Sequence, residues 1–212
     1  MFDLADSDLL GGVADVCAGG SSFVAECTRA GYRAVAVDPA YASDKPSLVA
    51  ATTAAVTDGH AIITAHVDRF VWRWYGGPER HRSIRQEAAE RFLIDLAAQP
   101  GRYVAGELPR LPLRDRAFGL VLCSHLLFTW AEHLDAAWHL AAVRELLRVS
   151  GREVRIFPLV VAGTGDDVPF LPDLVDRLAE DGVAVERRQV PYEFQRGGNT
   201  MLVLAPKPPT ER

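Results

Sequence analysis

The sequence predicts a single α/β domain in which a mostly parallel sheet of seven strands carries helices on both faces. Seven short apolar runs alternate with segments of helical periodicity, and glycine, proline or polar residues bound each run. The last two runs are separated only by a short glycine-containing segment, which predicts an antiparallel last strand. At 212 residues the chain is long enough for one domain with a large core and does not require a second.

The predicted elements follow one another in regular order. The strands are expected at 13–17, 34–37, 103–105, 118–123, 154–157, 183–190 and 200–204. Helices are expected at 21–30, 47–56, 62–74, 79–98, 132–149 and 171–180. The segment at about 59–98 is a helical insert between strands 2 and 3, expected to act as a lid over the binding pocket. The tail from Pro206 to Arg212 is expected to be loose chain.

Composition narrows the classes of function. The net charge of −5 argues against a nucleic-acid partner, because an acidic chain has no long-range attraction for phosphate backbones. Cys17, Cys27 and Cys123 form no C-x-x-C pair, so no metal site is expected. The acidic first residues lack the basic region of a signal peptide, and no apolar run is expected to be long enough to span a bilayer. We therefore expect a cytoplasmic protein with no membrane partner.

Candidate binding residues collect where the predicted strands end, because ligands of such sheets bind beyond the carboxyl ends of the strands. A turn of small residues follows the first strand and lets a ligand approach the backbone closely. Asp38 ends the second strand, about 20 residues beyond that turn, where a carboxylate binds ribose hydroxyls. The candidate set is Asp15, Cys17, Ala18, Gly19, Gly20, Ser21, Asp38, Pro39, Glu107, Leu108 and Ser124. The pattern predicts a nucleoside site.

The glycine turn does not have the dinucleotide fingerprint G-x-G-x-x-G. That fingerprint would need glycines at 17, 19 and 22, but Cys17 and Ser22 stand at two of these positions. This disfavours an NAD-dependent oxidoreductase, which stays the least favoured of three alternatives.

The stretch Asp15-Val16-Cys17-Ala18-Gly19-Gly20-Ser21 resembles the D-x-G-x-G-x-G motif of class I S-adenosylmethionine-dependent methyltransferases, which are Rossmann-like. Asp15 and Gly19 match the motif, whereas Cys17 and Ser21 replace glycines. The resemblance places the ribose-binding acid of the family on Asp38 and its adenine-site acid on Glu107. It implies S-adenosylmethionine as cofactor, S-adenosylhomocysteine as product and methyl transfer to a small-molecule acceptor. A non-catalytic module that binds S-adenosylmethionine or a nucleoside is the alternative.

Two further groups of residues are candidates for the chemistry. His125 follows the fourth strand and is the candidate catalytic base; the alternative is a loop histidine that hydrogen-bonds a backbone carbonyl. Trp72, Trp74, Tyr75 and Arg82 in the insert are candidates for a substrate lid, and the alternative is a solvated helix face above an aromatic core. The sequence leaves open the acceptor and the oligomeric state, a homodimer included.

Overall fold

A computed structural model describes residues 1–206, and in it seven strands form one sheet between layers of helices. The strands are β1 (Val13–Val16), β2 (Ala34–Asp38), β3 (Tyr103–Ala105), β4 (Phe118–Ser124), β5 (Ser150–Phe157), β6 (Val183–Gln189) and β7 (Thr200–Pro206). The helices are α1 (Asp6–Leu9), α2 (Phe23–Arg29), α3 (Lys45–Ala65), α4 (Pro78–Ala98), α5 (Ala136–Val149) and α6 (Leu171–Glu180). Apart from Pro206, the predicted tail lies outside the described residues.

The sheet has the strand order β3-β2-β1-β4-β5-β7-β6. β1 pairs in parallel with both β2 and β4, while β7 runs antiparallel to its neighbours β5 and β6. The chain therefore adds β2 and β3 on one side of β1 and then places β4 and the later strands on its other side. This reversal creates a switch point between β1 and β4, and it confirms the predicted fold class.

The central strands are apolar on both faces because helices cover both faces. In β1 the alternating residues divide between two cores, with Val13 in one and Ala14 and Val16 in the other. Helices α5 and α6 cover one core, to which they contribute Leu146 and Leu174. Helices α2 and α4 cover the second core. A continuous apolar strand is the expected pattern for a parallel strand buried on both faces.

The connection between β2 and β3 differs from the predicted insert. α3 begins at Lys45, where the Asp44 carboxylate accepts the Ser47 N–H at 2.9 Å, so Gly59 lies inside a helix and not at its start. The predicted helix over 62–74 is wrong beyond Ala65. The chain after α3 makes a short 3-10 turn at Val67–Arg69 and then runs without a helix until α4 begins at Pro78.

By length and composition α3 could cross a membrane, because its most apolar stretch has a mean hydropathy of 1.2. The expectation that no apolar run is long enough is therefore wrong by this criterion. Only 17% of that stretch is buried. Leu48, Thr52 and Ile63 are its buried side chains, while Ile62 is 63% exposed.

Candidate active site

The glycine turn lies beside the end of β2. The Cys17 N–H donates to the Val37 carbonyl at 2.8 Å, and both Cys17 and Gly19 have left-handed backbones, with φ of 62° and 51°. A Cβ atom added at Gly19 would meet no atom within 4 Å. The backbone of Gly19 therefore faces open space, which a ligand can approach.

Asp38 connects this turn to the end of β2. Its carboxylate accepts the N–H of Gly19 and the N–H of Ala40, each at 2.9 Å. The two bonds use different oxygens, and each oxygen of a carboxylate keeps a further lone pair for a hydroxyl donor. The predicted ribose acid is thus fixed next to the glycine turn by its own backbone contacts.

Tyr41 is a residue of this site that the sequence interpretation missed. Its hydroxyl donates to the Gly19 carbonyl at 2.6 Å. Its ring stacks against Phe92 at 5.9 Å and meets Tyr103 edge to face at 5.5 Å. Its position three residues after the ribose acid was the available signal, but a hydrogen bond across 22 residues has no sequence signature.

Asp15 is the second carboxylate of the turn, and its environment is different. Its side chain is buried, and this burial raises its pKa to about 7. The negative charge of Asp38 also raises the pKa, while a hydrogen bond with the Ser21 side chain opposes the rise. A cation placed beside Asp15 would favour its ionised form. The amino group of S-adenosylmethionine is such a cation, so the residues present fit this cofactor.

The remaining turn and strand-end candidates form the surroundings of these acids. A hydrogen bond with Cys123, followed by burial, raises the pKa of the Cys17 thiol, so we interpret both thiols as unreactive wall residues. Glu107 is exposed after β3 and accepts the Arg110 N–H through its carbonyl at 3.0 Å. Leu108 is only 4% exposed and belongs to the core, so its side chain does not face a ligand. Ala18, Gly20, Ser21 and Ser124 are half-buried, and Pro39 is exposed.

His125 follows β4 with a left-handed backbone, φ 57°, and its N–H donates to the Phe157 carbonyl at 2.8 Å. Its ring meets the Phe157 ring edge to face at 6.0 Å. The side chain is accessible to solvent, yet protein crowds it closely enough for desolvation to lower its pKa to about 4, with Arg85 contributing. We interpret this as a side chain that lines a recess. Its ring is neutral at physiological pH, so an unprotonated nitrogen is present, and the lowered pKa makes it a weaker base than a free histidine.

The aromatic residues of the insert pack against the β6–β7 loop. The Tyr75 and Tyr192 hydroxyls are hydrogen-bonded at 2.7 Å, and the Trp72 ring lies edge to face with Phe194 at 5.7 Å. Trp74 is 48% exposed and leans on Tyr192 at 6.0 Å. The predicted substrate group thus meets a loop that the sequence interpretation did not include.

Arg82 is separated from this aromatic group. It lines a groove of about 250 Å³ between α3 and α4, together with Thr53, Val56 and Leu93. None of the residues that line this groove belongs to the aromatic group. Arg85, one turn further along α4, is the arginine whose charge reaches His125 and Tyr192.

Comparison with known proteins was made at the levels of sequence and structure. No family model matches the chain. Uncharacterized protein MJ0045 of Methanocaldococcus jannaschii is 28% identical over 209 residues, which cover 96% of this chain and 90% of that protein.

Several solved methyltransferase structures are similar in fold. Magnesium protoporphyrin IX methyltransferase from Synechocystis PCC 6803, with bound S-adenosylmethionine, is 12% identical with a TM-score of 0.48, over 91% of this chain and 68% of that one. The O-methyltransferase NcsB1 from neocarzinostatin biosynthesis is 19% identical with a TM-score of 0.49, over 95% of this chain and 51% of NcsB1. A methyltransferase from Aquifex aeolicus is 15% identical with a TM-score of 0.44, over 91% and 79%.

These identities are low, and the likeness concerns the fold alone. The fold itself follows from the strand order and the antiparallel β7 described above. It is a Rossmann-like α/β fold with an antiparallel last strand, the fold class that the sequence predicted.

Proposed function

We propose that this protein is an S-adenosylmethionine-dependent methyltransferase that acts on a small-molecule acceptor. The observation that carries the proposal is the contact between Asp38 and the glycine turn at the switch point of the sheet. There the Asp38 carboxylate, which can accept hydrogen bonds from hydroxyl groups, is hydrogen-bonded to the Gly19 N–H. The backbone beside it faces open space.

Three carboxylates and the turn would hold the cofactor. Asp38 would receive the ribose hydroxyls, Asp15 would lie near the amino group, and Glu107 would lie near the adenine. The Gly19 backbone would form the floor beneath the ligand. Asp15 supports this arrangement because its raised pKa marks a buried carboxylate that gains from a cationic neighbour.

When bound, S-adenosylmethionine supplies a methyl group that is already activated by a positively charged sulfur. The protein then has to hold the acceptor close and in line, which accounts for much of the catalysis in such a displacement. His125 would take a proton from an acceptor oxygen or nitrogen, for which its neutral ring is suited. The aromatic residues of the insert and of the β6–β7 loop would keep water away from the reacting groups.

A non-catalytic binding module is the second candidate function. Cys17 supports it, because a non-glycine residue with φ of 62° holds a position where the motif has glycine. Gly119 of β4, where the methyltransferase family that the sequence resembles has aspartate, does not support it. A Cβ atom there would lie 2.9 Å from the Gly11 Cα, so close packing of the chain explains that glycine. Measured methyl transfer to any acceptor would exclude the binding module.

The first experiment is thermal unfolding with S-adenosylmethionine, S-adenosylhomocysteine and NAD in parallel. A ligand at about 100 times its dissociation constant adds roughly 2.7 kcal/mol, or a few degrees in Tm for a domain of this size. We expect a shift with the first two ligands and none with NAD. Asp38→Asn should remove the shift, because an amide has one acceptor oxygen and cannot accept both the Gly19 and the Ala40 N–H while also binding the ribose hydroxyls.

Asp44→Asn is the matched control. Asp44 also caps a helical turn through a backbone N–H, that of Ser47 at 2.9 Å, but it lies outside the site. This variant should keep the full shift. If wild-type protein shows no shift with S-adenosylmethionine, or shifts only with NAD, the proposed function is wrong.

We also propose a cytoplasmic location. All three cysteines are free, as is usual in a reducing compartment.

A further inference from the structure

His125 after β4, Phe157 at the end of β5 and Tyr192 of the β6–β7 loop form an aromatic cluster that includes none of the cofactor residues. We define the recess as the space bordered by His125, Tyr192, Tyr75 and Arg85; Phe157, which is 1% exposed, supports the His125 and Tyr192 rings from the core. The His125 and Tyr192 rings both contact the Phe157 ring, at centroid distances of 6.0 and 5.8 Å. The hydroxyl of Tyr75 is hydrogen-bonded to that of Tyr192 at 2.7 Å. Flat rings therefore form most of the lining, and two hydroxyls provide polar contacts.

Arg85 brings a positive charge to this recess. It lies on α4 one turn after the buried His81 and two turns before the buried Phe92, so it shares their face of the helix, and its own side chain is exposed at the rim of the recess. His81 packs on Tyr75 at 4.7 Å, which places this face of α4 beside the aromatic lining. The charge of Arg85 helps to lower the pKa of both His125 and Tyr192, although burial keeps that of Tyr192 above its usual value.

Arg85 also has no acidic partner within residues 1–206. Its neighbours on the outer side of α4 differ, because Arg80 and Arg91 both form salt bridges with Glu87. No salt bridge involves Arg85 in the part of the chain that the structure describes. An arginine that faces a recess of aromatic rings without a carboxylate is available to an anionic group of a ligand.

We propose that the recess selects the methyl acceptor, and that the acceptor is a small planar aromatic molecule with a carboxylate or similar anionic substituent. Arg85 binds the anionic group, Tyr192 contacts the ring, and the acceptor hydroxyl or amino group faces His125. The inference rests on the proposed function, since it identifies the second substrate of the same site. It assigns specificity to Arg85 and Tyr192.

The test compares 4-hydroxybenzoate with the uncharged 4-hydroxybenzamide, two probes of the same shape. Their binding is measured by isothermal titration on protein saturated with S-adenosylhomocysteine. We expect saturable millimolar binding of 4-hydroxybenzoate, about tenfold tighter than that of the amide, since a hydrogen bond to a charged group typically contributes a factor of this size. Arg85→Gln should abolish the preference, whereas Arg85→Lys should keep most of it.

Arg82→Gln is the matched control, because Arg82 lies on the same helix but lines the groove between α3 and α4. It should retain the full preference. The proposal is overturned if 4-hydroxybenzoate shows no saturable binding, if it binds no better than the amide, or if Arg82→Gln and Arg85→Gln reduce the preference equally. Titration of S-adenosylhomocysteine alone separates the proposed function from the proposed acceptor class. If S-adenosylhomocysteine does not bind, the proposed function is contradicted. If it binds but the probes do not behave as expected, only the acceptor class is contradicted.

Discussion

Asp15 and Asp38 lie at the same turn but in different surroundings. Asp38 is half-buried and accepts two backbone N–H groups. Asp15 is buried beside a second acid, so its pKa rises to about 7. Asp15 therefore changes its protonation near neutral pH, and a cationic ligand favours its ionised form.

The raised pKa of Asp15 predicts a pH dependence of stability. Between about pH 4 and 7 the folded protein binds more protons at this residue than the unfolded chain, so the free energy of unfolding falls as pH rises. Asp15→Asn should remove this fall, which is on the order of 2–4 kcal/mol. Urea unfolding of wild type and variant at about pH 5 and 8 measures it.

Buried histidines act in the opposite direction and must be separated from this effect. Burial lowers the pKa values of His81, His125 and His139, so protonation of the unfolded chain costs stability as pH falls below about 6.5. These contributions are common to wild type and Asp15→Asn, so they cancel in the difference between the two. An identical pH slope in both proteins would show that Asp15 does not titrate as described.

At the level of elements, side chains of α3 and α4 pack against the glycine turn. A Cβ atom at Gly20 would lie only 2.9 Å from the Cγ2 atom of Thr52 on α3, and 3.8 Å from the Phe92 ring on α4. α3 can lie this close to the turn only because residue 20 is glycine and has no side chain. This contact couples the insert directly to the proposed cofactor site.

Gly20→Ala tests this coupling. The added methyl group should cost about 1–3 kcal/mol of stability through overpacking against Thr52. Thr52→Ser removes the Cγ2 atom, so the double variant should recover most of the loss, and a double-mutant cycle from urea unfolding gives the coupling energy. Strictly additive effects of the two substitutions would mean that α3 does not press on the turn.

The elements show which parts of the fold the sequence could predict. The seven predicted strands all overlap the observed strands, because apolar runs bounded by glycine and polar residues mark buried parallel strands directly. The prediction of helix beyond Ala65, over 66–74, is wrong because the aromatic residues of that segment have helical spacing. In the fold they bind the β6–β7 loop, where the Val71 N–H donates to the Phe194 carbonyl at 2.7 Å. A contact between such distant segments overrides local propensity.

The candidate site divides in the same way. Asp15, Gly19 and Asp38 could be predicted because they follow strand ends at fixed spacing, and the structure brings them together. The sequence could not separate Arg82 from Arg85. A helix that is rich in charged residues and has no strong apolar stripe does not show which of its faces lies toward the core. Helix α4 buries only His81, Ala89 and Phe92, so its inward face became visible only in the fold.

At the scale of the whole molecule, two segments far apart in sequence pack against each other beside the sheet. Segment 67–75 follows α3, and loop 192–196 joins β6 to β7. Arg196 donates its N–H to the Arg69 carbonyl at 3.0 Å, and the Arg69 side chain donates to the Gly163 carbonyl at 3.0 Å. We therefore expect the two segments to open and close as one unit, separate from the central strands.

Phe194→Ala tests whether this unit exists. The Phe194 ring stacks on His81 at 4.6 Å and on Phe70 at 4.8 Å, so its loss removes the packing that joins loop 192–196 to the insert. Hydrogen exchange followed by mass spectrometry should then show faster exchange in segments 67–75 and 192–196 together, with β1 and β4 unchanged. Trp130→Ala, at a site 49% exposed and outside the aromatic group, should leave both segments as they are in wild type. Faster exchange in only one segment would show that the two segments move independently. The recess would then not be covered by a single unit, as acceptor selection requires.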